Sequence, residues 1–183
     1  MYGLDVTVTQ AINGLVGKSA FIDLLMIWIS KVGVPVLVAA VAFQWWRRTN
    51  RLHVRHVLVA SGASFLLGLA FNQLVLLFVH RVRPYDAGIT HLLVAKNADP
   101  SFPSDHATAS IAIATAFLVG GLRRTGFCFL LAAALLMISR VYIGIHYASD
   151  VVGGAVTGSI AATLVVALYR EGTLLDRALT RIL

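Results

Sequence analysis

The 183-residue chain has a single cysteine, Cys128, which excludes an internal disulfide framework and any thiolate-held zinc or iron–sulfur site. It is poor in charge as well. Only 13% of residues are Asp, Glu, Lys or Arg, about half the share that a soluble domain of this size needs to cover its surface. There is no HExxH pattern and no dense carboxylate cluster, so neither a metal nor any other cofactor is expected. Internal repeats and low-complexity tracts are absent, and the chain reads as one domain over residues 1–183. The first residues lack the basic start and continuous apolar core of a secretory signal. What the chain does have is apolar side chain: 58% of its residues are hydrophobic and the mean hydropathy is +0.83. Its solvent is a lipid bilayer. A net charge of +7 would suggest nucleic acid in a soluble protein, but here the bases fall between apolar runs, where they report membrane orientation. Nucleic acid is not an expected partner.

Crossing about 30 Å of hydrocarbon takes roughly 20 helical residues. Five runs are long enough: 21–46, 57–79, 104–122, 125–143 and 151–169. The first holds Lys31, Gly33 and Pro35 close together, which predicts a bend or break there. Upstream, Leu4, Val8, Ile12, Leu15 and Val16 recur at helical spacing, with Asp5, Thr9, Gln10 and Asn13 on the other side. That pattern predicts a short amphipathic helix lying in the interface. The fold class is therefore all-α: a polytopic membrane bundle of about five spanning helices plus one interfacial helix, six helices in all. Small residues such as Gly62, Gly68, Gly154 and Gly158 would allow close helix contact or room for a lipid tail.

Charge placement sets the sidedness. One side carries nine arginines (47, 48, 51, 55, 123, 124, 170, 177 and 181) against Glu171 and Asp176. The other carries Lys18, Arg81, Arg83, Lys96 and Arg140 against six aspartates. Positive loops stay in the cytoplasm, so segment 80–106 and the turn from Arg140 to Asp150 should share the outer face.

Four of the six histidines, His80, His91, His106 and His146, fall on that outer side. Ionisable groups at the ends of apolar runs usually mark function, although a lone arginine or histidine there more often just reaches for the headgroups. Definite chemistry in their arrangement is what distinguishes the two cases. His146 and Asp150 are i and i+4, so a carboxylate can hold one imidazole nitrogen and leave the other as nucleophile or base. Arg140 lies six residues earlier, and a turn at Gly144 would bring it onto His146; without that turn the three are unrelated. Ser104 in Phe102-Pro103-Ser104-Asp105-His106 is placed to cap an apolar helix. Its amides and dipole would then favour an anion beside Ser104 and His106, while plain capping remains the alternative. In Arg81-Val82-Arg83-Pro84, proline ends the second span and leaves Arg83 at the surface, where a guanidinium fork suits phosphate oxygens. Together these residues can hold a phosphoryl group between two imidazoles. The competing class is an anion transporter, which needs polar residues through the membrane. Runs 107–122 and 151–169 offer only scattered Ser and Thr.

On these residues the sequence resembles the type 2 phosphatidic acid phosphatase superfamily, whose soluble members include vanadium haloperoxidases. The family pattern Ser-Arg, five residues, His, three residues, Asp is present in full from Ser139 to Asp150. Pro-Ser-Gly-His appears as Pro103-Ser104-Asp105-His106, with aspartate for glycine. Of Lys, six residues, Arg-Pro, only Arg83-Pro84 is present; Leu76 occupies the lysine position, for which Arg81 or Lys96 could substitute. The aspartate variant, followed by Val141 to Tyr147, is similar to the bacitracin-resistance type of undecaprenyl-diphosphatases. The resemblance implies a bacterial inner-membrane lipid phosphatase acting in cell-wall synthesis, with its site facing the periplasm or cell exterior. It implies catalysis by His146, His106 and Asp150, phosphate contacts from Arg83, Ser104, Arg140 and Asp105, and a lipid phosphate or diphosphate as substrate. Phosphatases for phosphatidylglycerol phosphate, phosphatidic acid or lipid A share these motifs.

Overall fold

A computed structural model describes residues 2–181. The described residues form only helices and loops: α1 (Tyr2–Asn13), α2 (Ala20–Phe43) with a 3-10 turn (Gln44–Trp46), α3 (Arg51–Leu76), α4 (Asp105–Val119), α5 (Arg123–Tyr142), α6 (Ala148–Leu168) and α7 (Leu174–Thr180). All five apolar runs are helical. Four elements have the length and apolarity to cross a membrane: α2 with its 3-10 turn, α3, α5 and α6. The fifth, α4, has only 15 residues and rises about 22 Å. A seventh helix, α7, lies in the tail, where the apolar pattern predicted none.

The core is centred on α4, which packs against α3, α5 and α6. Ten of its fifteen residues are buried, and five of those ten are alanines. Such a helix is shielded by protein on all sides, so it need not match the bilayer in length. Gly154 and Gly158 of α6 lie directly against the α4 backbone at Ser104 and Thr108, where any Cβ would collide. These glycines serve helix contact and leave no room for a lipid tail between the helices. Phe117, Phe129, Leu136, Val54 and Val57 fill the lower core. By contrast, Phe21, Trp28, Leu66, Leu131 and Leu168 are each more than half exposed, the inside-out apolar distribution of a protein dissolved in lipid.

Two expectations are corrected. Helix α2 is not broken at Pro35; proline forfeits only the bond to the carbonyl four residues earlier, which a membrane helix tolerates. And α1 does not turn its polar stripe to water. Asp5 accepts from the Ser149 amide at 2.8 Å, Thr9 from the Ala148 amide at 3.0 Å, and Asn13 donates to the Tyr142 carbonyl at 2.7 Å. The stripe clamps the α5–α6 turn, while Leu4 and Leu15 face outward.

Candidate active site

The turn between α5 and α6 makes the site. Gly144 sits at φ +82°, and a Cβ there would strike the His91 carbonyl, so the helix ends where the sequence pattern placed the break. The chain reverses and brings His146 back over Arg140, with Arg140 Nη2 3.5 Å from His146 Nε2. The His146 Nδ1–H donates to the Ser101 carbonyl at 2.8 Å. That fixes the tautomer and leaves Nε2 unprotonated, its lone pair facing the Arg140 guanidinium.

This changes the expected part of Asp150. Its Oδ2 stands 3.5 Å from His146 Nδ1, too far for the hydrogen bond that orients the ring, so it acts there as a nearby charge. The oxygen instead accepts from the Ser101 hydroxyl and from the Tyr147 amide at 2.8 Å. Ser101 thus holds both members of the pair, the imidazole through its carbonyl and the carboxylate through its hydroxyl. The other Asp150 oxygen pairs with Arg81 at 2.7 Å. Arg81 also pairs with Asp5 at 2.6 Å and lies 3.8 Å over the Tyr147 ring. Burial alone would raise the Asp5 carboxyl, but the Ser149 hydroxyl and the Arg81 guanidinium outweigh it and hold it below the usual carboxylate range. Arg81 is therefore committed behind the site and does not replace the missing lysine. Lys96 does not either, since it pairs with Asp86 at 2.7 Å.

A cavity of about 220 Å³ opens in front of His146. It is lined by His146, His106, Arg83, Arg140 and Asp105, together with Leu76 at the family's lysine position. Arg83 is buried and spends Nε and Nη1 on the carbonyls of Asp99 and Ile145, at 2.8 and 3.0 Å. Arg140 is buried as well and donates Nη1 to Ser30 at 2.7 Å. Two buried side-chain polar atoms among the described residues have no partner, Arg140 Nε and Ser104 Oγ. Ser104 occupies the N-cap of α4 without making a side-chain cap bond, so its hydroxyl is not used for capping. Unpaired buried donors are costly, and an anion in the cavity could satisfy Arg140; Ser104 is fully buried and does not itself line the cavity, its neighbours Pro103 and Asp105 doing so. Asp105 lines the cavity as well; it is exposed, and one oxygen accepts from Asn72 at 2.7 Å. Of the outer histidines, His80 and His91 are exposed and line neither this cavity nor the wider one beside it.

Burial, partly opposed by Asp150 and reinforced by Arg140 and Arg83, pushes the His146 imidazole down to about 4. The ring is neutral at physiological pH, as a nucleophile must be. Ser101, Asp5, Ser30 and Asn72 were missed by sequence reasoning. Only Ser101 carried a local signal, two residues before the Pro103-Ser104 motif.

Fold and pocket together define a polytopic helical membrane protein with a cation-lined cavity at one end of its bundle. Residues 57–173 match the PAP2 superfamily. The chain is 33% identical over 161 residues to undecaprenyl-diphosphatase BcrC of Bacillus subtilis, covering 88% of this chain and 82% of that protein. It is 27% identical over 176 residues to an undecaprenyl-diphosphatase of Sulfolobus acidocaldarius, covering 93% and 81%. Its fold is shared with the crystal structure of the first transmembrane PAP2 type phosphatidylglycerolphosphate phosphatase from Bacillus subtilis, at TM-score 0.67, 23% identity, and coverage of 94% and 88%. The chain belongs to the PAP2 superfamily. It is a multi-pass membrane phosphatase acting on a lipid phosphate.

Proposed function

We propose that the protein removes the terminal phosphate of undecaprenyl diphosphate through a phosphohistidine, at a site facing the outside of a bacterial inner membrane. The observation that carries the mechanism is the unprotonated His146 Nε2, with Nδ1–H held by the Ser101 carbonyl, in one cavity with His106 and two guanidiniums. Nε2 attacks the terminal phosphorus in line. The N–P bond forms as the P–O bond to the lipid phosphate breaks, and His106 gives its proton to the departing oxygen. Water then attacks the phosphorus with His106 as base, and the N–P bond breaks to release inorganic phosphate. Arg83, Arg140 and the Ser104 hydroxyl hold the equatorial oxygens as charge develops. Asp150, tied to Arg81 and Ser101, keeps the catalytic turn in place. The substrate is supported by two relatives named undecaprenyl-diphosphatases that match nearly the whole chain. The outward orientation rests on the nine arginines at the other end.

Phosphate release in detergent with chelator, comparing undecaprenyl diphosphate, phosphatidylglycerol phosphate and phosphatidic acid, tests the reading. The diphosphate should be preferred, His146→Ala should abolish turnover, and His106→Ala should accumulate acid-labile phosphoprotein. Near-normal release by His146→Ala would refute the mechanism, and preference for either monophosphate ester would refute the substrate.

A further inference from the structure

The cavity in front of His146 continues into a second and larger space of about 590 Å³, which shares Asn97, His106 and Arg140 with it. Its far wall is α2, contributing Ile27, Ser30 and Lys31, and its floor is apolar, formed by Val94, Ile143 and Ile145. No carboxylate lines it. The first cavity, by contrast, has Asp99 and Asp105 in its wall.

Lys31 is the one base in α2, well inside a helix whose other charge, Asp23, lies in its first turn, and an ammonium in such a helix is costly unless it finds relief. It forms no ion pair among the described residues: every recorded pairing of a base with an acid lies elsewhere. Its Nζ rests 5.8 Å from the Trp28 ring, the outer limit of a useful cation–π contact. The preceding residue, Ser30, accepts from Arg140. The same turn of α2 therefore braces the guanidinium beside His146 and presents a free ammonium to the adjoining space.

We propose that Lys31 forms a subsite for the second, lipid-linked phosphate of a diphosphate substrate, the group that departs when His146 takes the terminal one. The inference rests on the diphosphatase reading above and deepens it. The terminal phosphoryl sits among Arg83, Arg140, Ser104 and His146. The bridging oxygen points past His106, which lines both spaces, and the lipid-linked phosphate lies against Lys31 with the first apolar units of its chain on Ile27, Val94 and Ile143. When the bridging P–O bond breaks, negative charge gathers on that phosphate, and an ammonium there stabilises the leaving group. A phosphate monoester places an uncharged alcohol carbon in the same position and gains nothing from the lysine.

The test compares wild type, Lys31→Met and Lys31→Arg on undecaprenyl diphosphate and on phosphatidic acid, in the same detergent. Lys31 is exposed, so neither substitution removes a core contact. For Lys31→Met, kcat/KM on the diphosphate should fall about tenfold while that on phosphatidic acid stays within twofold, and Lys31→Arg should restore most of the loss. Equal losses on both substrates, or none on either, would overturn the subsite. A wild-type enzyme with no preference for the diphosphate would instead overturn the substrate reading itself, whatever the variants do.

Discussion

Arg140→Met separates a binding arginine from a structural one, because the two roles predict opposite changes in stability. Arg140 is only 6% exposed, and no carboxylate lies within ion-pairing distance of it among the described residues. Its contacts are neutral, the Ser30 hydroxyl and, at 3.5 Å, His146 Nε2, and its Nε has no partner. A buried cation held this way destabilises the empty protein, and replacing buried charge by apolar side chain of similar length often gains 1–4 kcal/mol. Ser30, once released, can bond back to the carbonyl one turn earlier in α2, as serines in membrane helices do. A net gain of about 1–2 kcal/mol would raise Tm by roughly 2–8 °C for a chain of this size. Catalysis should move the other way. Losing two charge-assisted contacts to phosphate oxygens, at about 1.5–3 kcal/mol each, lowers kcat/KM by about a hundredfold to ten-thousandfold. Differential scanning fluorimetry in detergent and phosphate release are the assays, with vanadate as a phosphate-like ligand. Vanadate should raise Tm in wild type and leave Arg140→Met unmoved. A variant that melts earlier than wild type yet keeps more than a third of its activity would refute this account of the pocket.

Two further outcomes follow from the geometry around His146. With the ring pushed down to about 4 by burial, the nucleophile stays unprotonated until well below neutrality. The acid limb of kcat/KM, corrected for the substrate's own ionisation, should therefore fall near pH 4; a limb near 6.5 would mean an ordinary, solvated imidazole. The same lowered value makes folding stability independent of this group above about pH 6.5. Stability should then decline as pH drops toward 4, because the unfolded chain takes up the proton first. Asp5→Ala removes the α1 carboxylate that Arg81 and Ser149 share, so it should lower kcat about tenfold with little change in KM, since Asp5 touches only the groups that hold Asp150. A KM effect alone would place Asp5 at the substrate instead.

How far the site was legible depends on the reach of each contact along the chain. Ser139 to Asp150 could be read directly: Arg140, Gly144, His146 and Asp150 lie within twelve residues, and glycine's tolerance of positive φ makes the reversal a local property. Ser104 and Arg83 were found because proline marks the ends of their apolar runs. What the sequence hid are partners far away in it. The Ser149 amide finds Asp5, 144 residues distant, and His146 finds the Ser101 carbonyl, 45 residues distant. The α1 pattern was read correctly as amphipathic, yet its direction could not be, because in lipid the polar face turns to protein as readily as to water. The unbroken α2 has a similar cause: a helix that proline would end in a soluble loop is continued by packing such as that of Gly33 on Leu136.

The arrangement also explains why two arginines two positions apart, Arg81 and Arg83, behave differently. Arg81 receives two carboxylates, Asp5 and Asp150, and its charge is met inside the protein. Arg83 donates only to carbonyl oxygens, and Arg140 only to the Ser30 hydroxyl and, at 3.5 Å, to His146 Nε2, so neither is ion-paired among the described residues, although Asp99 and Asp105 also line the cavity. Asp5 and Asp150 are placed behind the catalytic turn, where they fix its shape. Selectivity for a multiply charged headgroup then comes from two guanidiniums whose direct partners are neutral, in a cavity walled by buried side chains where each contact to a phosphate oxygen is stronger than in water.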